Sequence, residues 1–335
     1  MKSSQSIPMD FGLLLDPGIN VAFQTFSPAV TSVFTRGEFL DSMPWYFLII
    51  SLITLGLHPR YGVRLATLFG LNSGLNEAVK LAGHMPRPYW VSDAVRAFSA
   101  HSSFGFPSGA AMSGAVMYGY IAVQVRRFPV VILCGILLLA TSMVRIFSGI
   151  HFLLDILGGW ALGFLLLAVF LLAAPKVEEY AGRLSRPSRL ALVAVVSAIP
   201  ILIVVPAYLS LGNWEIPAPW IELALRQTGA TIHPDRIQYA WGAAGIIFGS
   251  LVGYEFLTSR GGWSPPADLK QRAGVVFAGT LSVLLVNMTI PGIWVYLGIT
   301  ALSPQFAVFL SMAGVTFWLM AGVPLVATKA GFTKE

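Results

Sequence analysis

Apolar residues in this chain come in long unbroken runs and not in alternation. Nine runs approach the roughly 20 residues that a helix needs to cross a hydrocarbon core. They are approximately 44–57, 62–82, 107–125, 130–147, 152–174, 189–211, 240–258, 273–299 and 305–327. A transmembrane barrel would alternate apolar and polar positions. The pattern therefore predicts an all-α, polytopic transmembrane bundle of about nine spans. The run 44–57 is short, and 62–82 is weakly apolar because it holds Asn72, Asn76, Glu77 and Lys80. Ahead of the spans, FGLLLDPGINVAFQTF is broken by Asp16, Pro17 and Gly18. It lacks the basic start and small-residue cleavage site of a signal peptide, and reads as one or two helices lying in the interface. The most polar stretch of the membrane portion, AAPKVEEYAGRLSRPSR, separates five spans from four. Four regions follow: an interfacial segment 1–43, a core 44–175, a cytoplasmic linker 176–188 and a four-span region 189–335.

Composition narrows the class. Of 335 residues, 56% are hydrophobic and only 11% charged, against roughly 25% charged in a soluble domain. The mean hydropathy is +0.75. A mainly soluble enzyme and a disordered regulator are both excluded. The lone Cys134 sits within an apolar run, so no disulfide within the chain and no cysteine metal site can form. The net charge of +6 resembles a nucleic-acid signal, but in a membrane chain it marks loops and the membrane surface, and no nucleic-acid partner is expected.

Basic residues choose an orientation. Thirteen of the 21 fall on one set of loops: Arg60, Arg64, Arg126, Arg127, Lys176, Arg183, Arg186, Arg189, Arg260, Lys270, Arg272, Lys329 and Lys334. The positive-inside rule makes that side cytoplasmic, with the N-terminus outside and the C-terminus inside. Lys2, Arg36, Lys80, Arg87, Arg96, Arg145, Arg226 and Arg236 lie on the other side or at span ends. Lys80, Arg87, Arg96 and Arg145 gather near outer span ends, against the rule, and call for a functional explanation.

Three stretches at the outer span ends carry chemistry: Lys80-Leu-Ala-Gly-His-Met-Pro-Arg87-Pro88, Phe106-Pro107-Ser108-Gly109-Ala110 and Arg145-Ile-Phe-Ser-Gly-Ile-His151-Phe-Leu-Leu-Asp155. Lys80, Arg87 and Arg145 suit a multiply charged oxyanion, above all phosphate. Pro107 followed by small residues reads as a helix start, with Ser108 and Gly109 offering free N–H groups to an anion. His151 and Asp155 are four apart, on one helix face, where a carboxylate holds an imidazole in one tautomer. Such a histidine beside an oxyanion site is a nucleophile or an acid–base group. Singly, each feature has an ordinary explanation as an interfacial anchor, a helix start or a structural pair. Three together on one side do not.

These stretches resemble the signatures of the type 2 phosphatidic acid phosphatase superfamily, K-x6-R-P, P-S-G-H and S-R-x5-H-x3-D. The resemblance covers roughly residues 60–175, in order and with the right internal spacing. It implies a metal-independent phosphatase core without a cofactor. Lys80, Arg87 and Arg145 would bind phosphate oxygens, with Ser108 and the Gly109 amide completing the cradle. His151 would attack phosphorus and Asp155 would orient it. The implied substrate is a phosphorylated or diphosphorylated membrane lipid, and the implied location a bacterial inner membrane with the site on the periplasmic side. Arg87-Pro88-Tyr89-Trp90 and the nine-span layout also look like glucose-6-phosphatase, which keeps a sugar phosphate open, as is transfer of the phosphoryl group to another acceptor.

Two positions depart from the pattern. Val144 stands where serine is usual, and Ala110 where the family has the histidine that protonates the leaving group. Loss of that acid is expected to cost about 10²–10⁴-fold in rate while binding survives. Ala110 fits a substitution that holds substrate in an inactive enzyme, or divergence toward a lipid-phosphate-binding protein or transporter. A substitute acid at His84 or His101 is a third account. In the back half, the loop 212–239 with Trp214 and Trp220 is expected to anchor at the interface or to cover the site. The four spans there would serve a homodimer contact, a lipid groove or a head-group pocket, and their residues do not choose.

Overall fold

The computed structural model describes residues 12–25, 33, 34, 36–235, 237–296 and 303–333, with backbone alone for 291–296. Lys2, Arg236, Lys334, the first eleven residues of the expected interfacial segment and the end of the run 273–299 lie outside the described residues. All described regular structure is helical. Helix α1 is Pro17–Gln24, α2 Met43–Gly56, α3 Pro59–Gly83, α4 Gly109–Val125, α5 Phe128–Phe147 and α6 Leu153–Gly182. Helix α7 is Arg186–Leu209, α8 Ala218–Thr228, α9 Gln238–Thr258, α10 Leu269–Tyr296 and α11 Pro304–Lys329, which carries a π turn at Trp318–Gly322.

Each expected run lies on a helix, but not every helix is a membrane span by length and apolarity. Six of the described helices qualify: Phe128–Phe147, Leu153–Gly182, Arg186–Leu209, Gln238–Thr258, Leu269–Ile290 and Pro304–Lys329. Of the nine expected spans, these six among the described residues meet both criteria. Helix α2 has 14 residues, about 21 Å at 1.5 Å per residue, short of the roughly 30 Å of a hydrocarbon core. Helix α4 has 17. Helix α3 is long enough at 25 residues, but polar side chains interrupt it and most of it is buried within the bundle. Its Asn72 donates to Ser113 Oγ at 3.0 Å and its Asn76 to the Pro107 carbonyl at 3.2 Å. A helix sheathed by other helices can carry such groups because protein, not lipid, satisfies them.

Local signals set the helix ends that matter. Ser108 caps α4, its hydroxyl accepting from the Ala111 N–H. Helix α3 stops at His84, which takes the left-handed conformation at φ 48°. Close approach of α4 and α6 depends on glycine: a Cβ on Gly159 would sit 2.8 Å from the Ser108 carbonyl, and one on Gly163 2.7 Å from the Met112 carbonyl. At one end of the bundle the Glu178 carboxylate of α6 holds Arg64 at 2.5 Å and Arg60 at 2.7 Å from α3. At the other end a second apolar cluster, including Leu81, Tyr89, Trp90, Phe104, Ile150 and Ala224, joins the loop after α3 to α8. The three signature stretches lie at this second end.

Candidate active site

The start of α6 organises the site. Asp155 is the third residue of that helix, and its carboxylate reaches back to accept from the Phe152 N–H at 2.9 Å. The same oxygen lies 3.0 Å from His151 Nδ1. An ionised carboxylate only accepts, so Nδ1 carries the proton and Nε2 the lone pair. Arg87 Nη1 donates to the Ile150 carbonyl at 2.9 Å and stands 3.3 Å from His151 Nε2. A guanidinium beside a bare ring nitrogen agrees with that tautomer. Asp155 is fully buried and its other oxygen has no partner.

Loop 103–106 is wedged between the first and third signature stretches. Arg87 donates from Nε to the Ser103 carbonyl at 2.7 Å and from Nη2 to Ser103 Oγ at 3.0 Å. Lys80 donates from Nζ to the Phe104 carbonyl and, at 3.4 Å, to that of Gly105. A Cβ on Gly105 would meet the Pro86 carbonyl at 2.4 Å and Asp155 at 3.3 Å, so only glycine fits. The Ser108 N–H donates to the Asp155 carbonyl at 2.9 Å, which ties the start of α4 to the start of α6. Gly109 and Ala110 are the first two residues of α4, where N–H groups have no partner within the helix.

Lys80, Arg87, Ser108, Ala110, Arg145, His151 and Asp155 are all buried at this end of the bundle, with Gly109 partly exposed. Arg145 is placed differently from the other cations. Its Nη1 lies 3.5 Å from the Asp41 carboxylate, its Nη2 donates to the Glu38 carbonyl at 3.4 Å, and its buried Nε has no partner. The sequence reading missed Asp41 and Glu38. It also missed Asn20 of α1, which donates to the carbonyls of Ile146 at 2.8 Å and His151 at 3.0 Å. Gln24, one turn on, donates to those of Phe147 and Arg96. The signal was present as two amides four apart in a short apolar helix, hence on one face.

Outside the membrane helices, electrostatics favour neutral imidazoles. Burial holds His151 well below the usual histidine pKa, helped by Arg87, Lys80, His101 and Arg145. His101 is also pushed well below it by burial, then by Arg87, Arg145 and Lys80. His84 is lowered by burial alone. The segment 212–235 covers this end of the bundle. Trp214 stacks on His84 at 5.2 Å between ring centroids and meets Phe104 edge-on at 5.5 Å, while Trp220 lies 6.1 Å from Trp90. Gln227 accepts from the Ala97 N–H at 3.0 Å and donates to the Ser92 carbonyl at 3.3 Å. Both tryptophans therefore pack onto the loop after α3. Among the described residues, no group of three or more His, Cys, Asp or Glu side chains could hold a metal ion.

A family profile described as the PAP2 superfamily matches residues 61–179, the stretch that holds all three signatures. The segment 61–179 belongs to the PAP2 superfamily. Its relatives include the phosphatidylglycerophosphatase B of Bacillus subtilis, 32% identical over 114 residues, or 31% of this chain. The chain spans about half, 54%, of that relative's length. A solved structure, described as the first transmembrane PAP2 type phosphatidylglycerolphosphate phosphatase from Bacillus subtilis, is 27% identical. The match covers 48% of this chain and 85% of the other, with a TM-score of 0.42. The PAP2 segment begins within α3 and ends within α6, so α7 to α11 lie beyond it.

Proposed function

We propose that this protein is a membrane phosphatase that hydrolyses a phosphorylated lipid through a phosphohistidine on His151. The observation that carries the reading is the Asp155–His151–Arg87 array. Asp155 holds Nδ1–H at 3.0 Å, and Nε2 faces the Arg87 guanidinium at 3.3 Å. A phosphate oxygen drawn to Arg87 takes the place of that contact and brings phosphorus to the ring nitrogen. Lys80 and Arg145 add charge for the other equatorial oxygens, and the start of α4 adds N–H donors. His151 Nε2 attacks as the P–O bond to the alcohol breaks, and Asp155 stabilises the positive imidazole. Water then attacks phosphorus, the P–N bond breaks and phosphate leaves. Burial of the array keeps competing water out.

A lipid is favoured because the site sits at the end of apolar helices, where a head group can enter while its chains stay in the bilayer. The name of the Bacillus subtilis relative points to phosphatidylglycerophosphate as the first substrate to try. The distribution of basic residues supports a site on the non-cytoplasmic face of a bacterial inner membrane. Ala110 supports a second reading, a lipid-phosphate-binding protein that has lost hydrolysis.

Phosphate release from phosphatidylglycerophosphate and phosphatidic acid in mixed micelles, with acid-labile label trapped on the protein, separates the two. The phosphatase reading expects turnover and label in the unmodified chain, both abolished in His151→Gln. Saturable lipid-phosphate binding with neither turnover nor label establishes the binding protein instead.

A further inference from the structure

The mechanism lacks a group to protonate the departing alcohol. An alkoxide is a poor leaving group, and Ala110 has no proton to give. Two loop histidines lie near enough to consider. His84 is held between Trp214 and Phe104, and its buried Nε2 has no partner. Burial lowers its pKa, and its ring packs on the aromatic cover.

His101 is placed otherwise. Its backbone is clamped by one side chain: its N–H donates to the Tyr89 hydroxyl at 3.0 Å, and that hydroxyl donates to its carbonyl at 2.9 Å. Two residues on, Ser103 takes two hydrogen bonds from Arg87, and the next residue, Phe104, takes one from Lys80. The loop that carries His101 is therefore the loop that accepts from Arg87 and Lys80. The imidazole lies within the electrostatic reach of Arg87, Arg145 and Lys80, and acts in turn on His151. His101 also lines a cavity of about 130 Å³ with Tyr89, Ser102, Thr228, Thr231 and Ile232, beside the end of α8 and the segment after it. His101 thus links the loop held by Arg87 and Lys80 to a space of mixed polar and apolar lining, where the alcohol side of a phosphate ester would extend.

We propose that His101 is the catalytic acid for the leaving group, in place of a histidine at position 110. This rests on the phosphatase reading above. In the first step the P–O bond breaks and the alcohol oxygen takes the imidazolium proton of His101, leaving that ring neutral, while His151 Nε2 bonds to phosphorus. In the second step neutral His101 takes a proton from the attacking water, the P–N bond breaks, and His151 is restored. Protons and electron pairs balance with no further reactant. Tyr89, Arg87, Arg145, Lys80 and His151 are the ionisable groups around His101, and burial first, then the three cations, keep it neutral in the empty site. A bound phosphate dianion offsets the three cations and attracts an imidazolium against the cost of burial, so His101 takes up its proton with the substrate.

The test compares an ester with a poor leaving group, short-chain phosphatidic acid, with one whose leaving group needs no acid, 4-nitrophenyl phosphate. Both use the purified full chain in detergent. His101→Gln is expected to lower kcat/KM on phosphatidic acid by about 100-fold or more and on the nitrophenyl ester less than about fivefold. Adding Ala110→His to His101→Gln is expected to recover at least about tenfold on phosphatidic acid. His84→Gln leaves the ratio of the two substrates unchanged. Equal losses on both esters, which a merely structural role would give, overturn the proposal. So does full activity on phosphatidic acid. If His101→Gln does not fold, the unmodified chain decides with a series of alkyl and aryl phosphates. A shallow dependence of kcat/KM on leaving-group basicity supports an internal acid, and a steep one refutes it. Trapped label on His151 from the nitrophenyl ester shows that the phosphatase reading stands when His101 fails; its absence overturns both.

Discussion

Replacing Asp155 by Asn tests the core of the mechanism with a nearly isosteric change. One carboxylate oxygen accepts from both His151 Nδ1, at 3.0 Å, and the Phe152 N–H, at 2.9 Å. An amide oxygen in the same place still accepts both, so the tautomer and the turn survive. The negative charge does not. As His151 bonds to phosphorus its ring becomes cationic, and the charge centres of ring and carboxylate stand roughly 5 Å apart. At an effective dielectric of about 20 that attraction is about 3 kcal/mol, or about 10²–10³-fold in rate. The charge develops in the transition state, so the loss belongs in kcat with KM nearly unchanged. The new NH2 occupies the position of the buried carboxylate oxygen that has no partner, a further stability cost of about 1–3 kcal/mol. The assay is steady-state kinetics on 4-nitrophenyl phosphate, with vanadate binding and thermal unfolding in detergent as checks on the fold. A kcat within about threefold of the unmodified protein, in a variant that still binds vanadate, would sink the proposed role of Asp155. A loss confined to KM would do the same.

Further consequences are measurable. Arg87→Lys keeps the charge but cannot span Ile150, Ser103 and the ring nitrogen at once, so kcat/KM should fall by about 10²-fold; a change under about threefold would argue against the fork geometry. Gly159→Val drives a side chain into the Ser108 carbonyl and the Ala111 methyl, and should destabilise the protein by about 2–3 kcal/mol, read as a lower Tm; an unchanged Tm refutes the close packing of α4 and α6. His101 and His151 titrate lower in the folded than in the unfolded chain. Their contribution to stability is therefore complete above the unfolded histidine pKa of about 6.5 and is lost as pH falls below it. Tm should drop between about pH 6.5 and 5, and a flat Tm across that window counts against burial of both rings. Chelation should leave phosphate release unchanged and vanadate should inhibit it; activity lost to chelator and restored by a divalent cation would contradict a site built from side chains alone.

Much of this protein was legible along the chain. Unbroken apolar runs located helices, since a backbone in lipid has to satisfy its own hydrogen bonds. The spacing of His151 and Asp155 brought the two together, though not on one helix face as expected: His151 lies just ahead of α6, and Asp155, at its third position, reaches back past the Phe152 cap to meet it. Apolarity along the chain could not settle which helices are sheathed by protein. Helix α3 reads as a weak span, and its Asn72 and Asn76 are tolerable because Ser113 and the Pro107 carbonyl stand opposite them. Nor could spacing place Asn20 beneath His151, 131 residues on, turn Arg145 toward Asp41, or fold Trp214 onto His84. Those contacts join segments with no shared periodicity, and only packing brings them together. The sequence by itself determined the helices, their capping residues and the chemistry gathered at one end. The tertiary structure decided which partners hold each cation, and that the loop of His101 packs between the first and third signature stretches, because burial and distance between remote segments exist only once the chain has folded.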